Sequence, residues 1–95
     1  MRNIFDTIDD FAVPAMEVLG LSLLEVREPR LSLRATAKRA LLFCYLHYEL
    51  GYKKSEVAFY THKEDSTVGQ NLKTRKKLWE ENREELLTKI TRVQL

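Results

Sequence analysis

Between residues 63 and 74 the chain carries seven side chains of the kinds that touch nucleic acid: Lys63, Ser66, Thr67, Gln70, Asn71, Lys73 and Thr74. A primary amide offers a donor and an acceptor in one plane, which matches N6 and N7 of adenine, while hydroxyl and ammonium groups serve phosphates. If these residues open a helix, that helix could enter a DNA major groove. The plain alternative is an exposed polar helix face. Lys53 and Lys54, a short way upstream, suit phosphate clamps that set register without reading sequence. Other chemistry is poorly served. Cys44 and His47 stand three apart in an apolar stretch, and His62 adds no second close pair to complete four metal ligands. Asp6, Asp9 and Asp10 fit an exposed helix start, favoured by the helix dipole, better than a paired-carboxylate site. Trp79 and Tyr60 read as core residues. No constellation points to an enzyme and none calls for a cofactor.

The distribution of charge supports the same region. The chain has 95 residues and a formal net charge of +2. Residues 1–26 carry Arg2 against Asp6, Asp9, Asp10, Glu17 and Glu25, a net of −4. Residues 27–54 carry seven cations, Arg27, Arg30, Arg34, Lys38, Arg39, Lys53 and Lys54, against Glu28 and Glu49, a net of +5. Residues 63–77 add +3, and 55–62 and 78–95 give −1 each. Two central basic blocks are what a phosphate-facing surface requires, because each cation beside a phosphate releases condensed counterions. Mixed-charge solvated helices would give a similar count.

The elements that position these residues are helical. With 3 Gly, 2 Pro and few β-branched residues there is little turn chemistry for hairpins, and good helix formers dominate. The spacing predicts an all-α chain of about five helices. The first runs from about Asn3 to Leu19 and either continues through Pro14 or divides near Val13, and Gly20 ends it. Ser22 caps a short helix to Arg27, closed by Pro29. Ser32 caps a core helix to Leu50, ended by Gly51, whose apolar face is Ala37, Ala40, Leu41, Cys44, Tyr45 and Tyr48. Arg34, Lys38 and Arg39 crowd its first turns against the dipole, which suggests a use other than stability. A short helix over 55–61 and a tight turn lead into a long last helix from about Ser66 to Arg92, the spacing of a helix-turn-helix. Asp65 or Ser66 can cap that helix, and His62 can take an unusual backbone conformation in the turn. Leu86, Leu87 and Ile90 either pack on the first helix or pair with a second copy in a homodimer.

Length confines the chain to one domain, 1–95, with one core. A single cysteine cannot form an internal disulfide, so a reduced, cytoplasmic setting is the default. No apolar run reaches the roughly 18–20 residues of a membrane span, and the start lacks signal-peptide order. The expectation is a soluble protein with no membrane partner.

From about residue 15 to 82 the order of elements resembles the C-terminal DNA-binding domain of the bacterial replication initiator DnaA, of the Trp-repressor-like helix-turn-helix class. The family's Ala-Arg-x-x-Ala-x-Tyr-Leu helix is similar to Ala37-Lys-Arg-Ala-Leu-Leu-Phe-Cys-Tyr-Leu46. Its Ser-Glu-Ile-Gly-x-x-x-Gly-Arg-Asp-His-Ser-Thr-Val segment lies over Ser55-Glu-Val-Ala-Phe-Tyr-Thr-His-Lys-Glu-Asp-Ser-Thr-Val68. The resemblance implies non-catalytic binding of double-stranded DNA by a recognition helix with Lys63, Ser66 and Thr67 at its head. It also implies minor-groove or phosphate contact from Arg27, Arg30 and Arg34 in the basic loop. Residues 83–95 fall outside it as a helical extension. His62 stands where the family has its turn glycine, Glu64 where it has aspartate, and Asp65 where it has a base-reading histidine. A carboxylate only accepts, so readout at Asp65 differs from the family's own. No phosphate loop of an initiator's ATPase is present. Two functions follow: a DNA-binding regulator or replication accessory of the kind mobile elements carry, or an interaction adaptor that keeps the fold without base readout.

Overall fold

The computed structural model describes residues 3–94. Among these residues there are six helices and no strand: α1 Ile4–Leu19, α2 Leu23–Arg27, α3 Leu33–Cys44, α4 Lys54–Thr61, α5 Asp65–Thr74 and α6 Lys76–Gln94. Each start has a local cause. Asn3 Oδ1 accepts the Asp6 N–H at 2.9 Å and opens α1. Ser22 and Glu25 cap reciprocally at the head of α2, side chain to backbone at 3.1 Å in both directions. Ser32 Oγ accepts the Ala35 N–H at 3.2 Å and fixes the start of α3. The Glu56 carboxylate accepts the Lys53 N–H at 2.8 Å ahead of α4.

α1 runs unbroken through Pro14 and stops at Gly20, whose φ of +71° is one that glycine adopts freely. A proline inside a helix costs about 3 kcal/mol, and the apolar stripe that spans it, Ile8, Ala12, Ala15 and Met16, is buried on both sides of the break point. That burial keeps the helix whole.

α3 is the centre of the molecule, packed by α1, α5 and α6. Of the apolar face expected from Ala37, Ala40, Leu41, Cys44, Tyr45 and Tyr48, the residues Ala40, Cys44 and Tyr45 are buried, and Arg39, Leu42, Phe43 and Leu46 are buried beside them. Tyr48 is an exposed residue and Ala37 and Leu41 are only half-buried. Beyond Cys44 the helix widens into one π-helical turn, Tyr45–Glu49, closed by the Leu50 N–H on the Tyr45 carbonyl at 3.1 Å.

The long last helix is two helices. α5 ends at Thr74, Arg75 leaves helical geometry at φ −109° and ψ 10°, and α6 begins at Lys76. In an unbroken helix the Leu72 carbonyl would accept from the residue-76 amide; here the Tyr48 hydroxyl donates to it at 3.0 Å. The break turns Trp79 into the core beside Tyr45, at 6.4 Å between ring centroids. Leu86 and Ile90 are buried where α6 packs along α1, with Leu87 half-buried beside them, so the packing on the first helix, one of the two expectations, is present and residues 83–94 continue the core. No described helix is long and apolar enough to cross a membrane.

Candidate nucleic-acid interface

α4 and α5 are joined by three residues, His62, Lys63 and Glu64. His62 adopts φ 54° and ψ 41°, its N–H donates to the Phe59 carbonyl at 3.4 Å, and the Lys63 N–H donates to the Ala58 carbonyl at 3.0 Å. This pair of bonds is the Schellman closure that glycine usually supplies. Histidine is among the residues that tolerate the left-handed region, and Val57, Ala58, Tyr60 and Thr61, all buried, hold the turn in place. Glu64 stands at the cap position of α5 and makes no side-chain cap bond, so neither Asp65 nor Ser66 caps the helix; both are exposed in its first turn.

α5 has two sides. Val68 and Leu72 are buried against α3 and α4. Ser66, Gln70, Lys73 and Thr74 are exposed, with Thr67 and Asn71 half-buried between the two sides. The Asn71 amide donates to the Thr67 carbonyl at 2.9 Å and the Thr74 hydroxyl to the Gln70 carbonyl at 2.8 Å. Those two side chains bond to their own helix, which leaves Ser66, Gln70 and Lys73 as the outward polar set.

The basic residues divide into two groups. Arg27 donates through Nε and Nη2 to the Tyr60 carbonyl at 3.2 and 2.9 Å, with its guanidinium 5.2 Å from the centre of the Phe5 ring. Lys63 Nζ donates to the Arg27 and Glu28 carbonyls at 3.1 and 2.8 Å. Arg39 Nη1 donates to the same Glu28 carbonyl at 2.8 Å and to Val26 at 3.4 Å. Three cations thus gather at the C-terminal end of α2, where the last carbonyls and the helix dipole favour positive charge. Burial lowers the affinity of the Lys63 amine for its proton, and the neighbouring Arg39 charge adds to this against the opposing Glu28 carboxylate. Tyr60 completes the hub by donating its hydroxyl to Asp9 at 2.6 Å; burial, then that bond, drives its proton affinity up.

Arg30, Arg34, Lys53 and Lys54 are exposed, as is Lys73. The Lys54 side chain lies over α5: a Cβ placed on Gly69 would stand 3.0 Å from Lys54 Cδ. The hub roots the loop that carries Arg30 beside the α4–α5 turn, since Lys63 of the turn grips the loop's first carbonyls. Of the basic residues singled out by type and spacing, Arg27, Lys63 and also Arg39, for which the sequence suggests a use other than stability, serve this rooting; Lys38 is half-buried, and Arg30, Arg34, Lys53, Lys54 and Lys73 face outward. Arg39 was missed as a structural residue. Its signal was its place one helical turn before Phe43, on a face that is otherwise apolar.

Cys44 is buried, with its thiol pushed up to about 11, and His47 Nδ1 lies 2.8 Å from the Tyr52 carbonyl. Among the described residues no group of three His, Cys, Asp or Glu side chains is placed to hold a metal ion. Compared with known proteins, the chain matches no family model, no curated sequence and no solved structure.

Proposed function

We propose that the chain is a non-catalytic, cytoplasmic binder of double-stranded DNA, with α4 and α5 as a helix-turn-helix, α5 in the major groove and the basic loop on the adjoining backbone and minor groove. The observation that carries this reading is the grip of Lys63 on the Arg27 and Glu28 carbonyls. It ties the root of the basic loop to the turn at the head of α5, and Arg30 and Arg34 beyond that root and Lys73 in the last turn of α5 are exposed. Gln70 and Ser66 supply base-edge donors and acceptors, and Lys53 and Lys54 supply phosphate contacts at the start of α4. The likeness to the DnaA DNA-binding domain supports the same assignment, as does the tight turn closed at His62.

The second reading, an interaction adaptor, draws on Glu64 and Asp65, which stand exposed at the head of α5 and repel phosphate. Fluorescence anisotropy on random duplex over a series of salt concentrations separates the two. For DNA binding through the five outward cations, log affinity falls with log salt at a slope of about −4, and Lys53→Ala with Lys54→Ala makes that slope shallower by about 2. Absence of binding at low salt, or a slope that the double variant leaves unchanged, defeats the DNA reading and leaves the adaptor.

A further inference from the structure

Leu33 is 88% exposed, the most exposed large apolar side chain among the described residues. An isolated exposed leucine is ordinary on a protein surface; the setting of this one is specific. It occupies the first position of α3, between Ser32 and Arg34, with Arg30 three residues before it, and all three neighbours are exposed. Its mount is fixed from both ends. Ser32 caps α3 through the Ala35 N–H, and Arg39 and Lys63 both hold the Glu28 carbonyl at the loop's root. An apolar side chain carried by a rigid base between two cations has the form of a wedge for stacked bases: arginines anchor on the backbone or in the minor groove, and the leucine enters between base pairs, unstacks them and kinks the duplex.

We propose that Leu33 inserts between two base pairs from the minor groove and kinks the bound DNA, with Arg30 and Arg34 holding the strands on either side. The inference rests on the DNA-binding reading and adds to it a mechanical action and a preference for easily unstacked pyrimidine–purine steps. The charge around Leu33 selects the partner. A protein or lipid surface would be met by a wider apolar patch, whereas the exposed residues nearest Leu33 in the chain are Ser32, Arg34 and Arg30, with the apolar Leu31 and Ala35 half-buried.

The test uses the whole chain with short duplexes that carry end-placed dyes for energy transfer and 2-aminopurine at a central TA step. Binding should shorten the end-to-end distance and raise 2-aminopurine fluorescence. Leu33→Ala should lower affinity on the order of tenfold, net of the unstacking it no longer drives, while keeping the salt slope. It should also return the duplex to its straight, dark state. Leu33→Met should retain both signals, and the exposed position predicts an unchanged melting temperature for each variant. Wild-type binding to straight duplex without a fluorescence rise overturns the wedge alone, as does a kink that Leu33→Ala leaves intact. Absence of binding to any duplex at low salt instead removes the DNA reading on which the wedge stands. A loss of self-association in Leu33→Ala, seen by sedimentation without any change on DNA, overturns the wedge in favour of a protein contact.

Discussion

Arg34 and Arg39 stand five residues apart on α3, and their guanidinium groups meet opposite surroundings. Arg34 projects into water from the first turn. Arg39 is 8% exposed, donates to the carbonyls that end α2, and loses proton affinity to burial. The same division separates the basic residues around the candidate interface: Arg27, Arg39 and Lys63 build a hub, and Arg30, Arg34, Lys53, Lys54 and Lys73 form an outward rim. A count of charge by segment weighs the two sets equally. Burial separates them, because a cation whose donors are already bonded to carbonyls contributes to architecture, and only one whose donors face water can release counterions on meeting a phosphate.

The hub should therefore fail thermally where the rim does not. Arg39→Ala removes charged hydrogen bonds from buried carbonyls and leaves a void, a loss of about 2–3 kcal/mol, or roughly 10–20 °C in Tm for a domain of this size. Arg34→Ala should stay within about 0.5 kcal/mol of the parent. Arg39 Nε is buried without a partner, so Arg39→Met, which keeps much of the stem and removes that atom, should lose less than alanine does. Circular-dichroism melts check all three, and equal losses at positions 34 and 39 would erase the distinction.

Alkaline pH should reach the buried side selectively. Burial raises the Cys44 thiol from 9.0 to about 11, so the folded chain keeps that proton after the unfolded chain has released it. Its contribution is whole below about pH 9 and declines as pH rises toward 11, by on the order of 2–3 kcal/mol. Tyr60, raised in the same direction, acts only from about pH 10 upward. Urea unfolding at steps from pH 8 to 11 should give a shallower decline for Cys44→Ala than for the parent, with the difference opening near pH 9, where tyrosine does not yet titrate. Parallel pH curves would place the thiol in contact with solvent.

Lys63 lies on the boundary between the two sets. As a hub residue, its change to alanine should cost about 1–2 kcal/mol through the lost bonds to the Arg27 and Glu28 carbonyls. DNA affinity should weaken as the loop loosens, with the salt slope preserved. Lys73→Ala should do the reverse, leaving Tm in place and making the slope shallower by about 1. A shallower slope for Lys63→Ala would move that residue to the rim.

Much of the fold was legible because its signals are local. Ser22 and Ser32 cap helices, Gly20 ends one, and His62 takes the left-handed turn, each through bonds spanning five residues or fewer. The break after Thr74 was not legible: no glycine or proline marks it, and the Leu72 carbonyl that it frees is bonded by a hydroxyl on Tyr48, 24 residues upstream. The π-helical turn at Tyr45–Glu49 is equally silent in the sequence. Within the candidate interface, residue type identified Gln70, Arg30 and Lys73 as outward groups, but Arg27 and Lys63 look identical to them until the partners 33 to 36 residues away are known.

The smallest expected effect tests whether the rim is itself placed by packing. Gly69 sits inside α5, where glycine is worse than alanine by about 1 kcal/mol. A Cβ there would stand 3.0 Å from Lys54 Cδ and 3.4 Å from Nζ, both in the far part of a flexible side chain. If Lys54 swings aside freely, Gly69→Ala should raise stability by about 0.5–1 kcal/mol in urea unfolding. If its place over α5 also aligns the ammonium with a phosphate, the same substitution should weaken duplex binding while it strengthens the fold. Opposite signs in the two measurements would tie a rim cation to its position, and a loss of stability would show that Lys54 is held as firmly as the hub residues are.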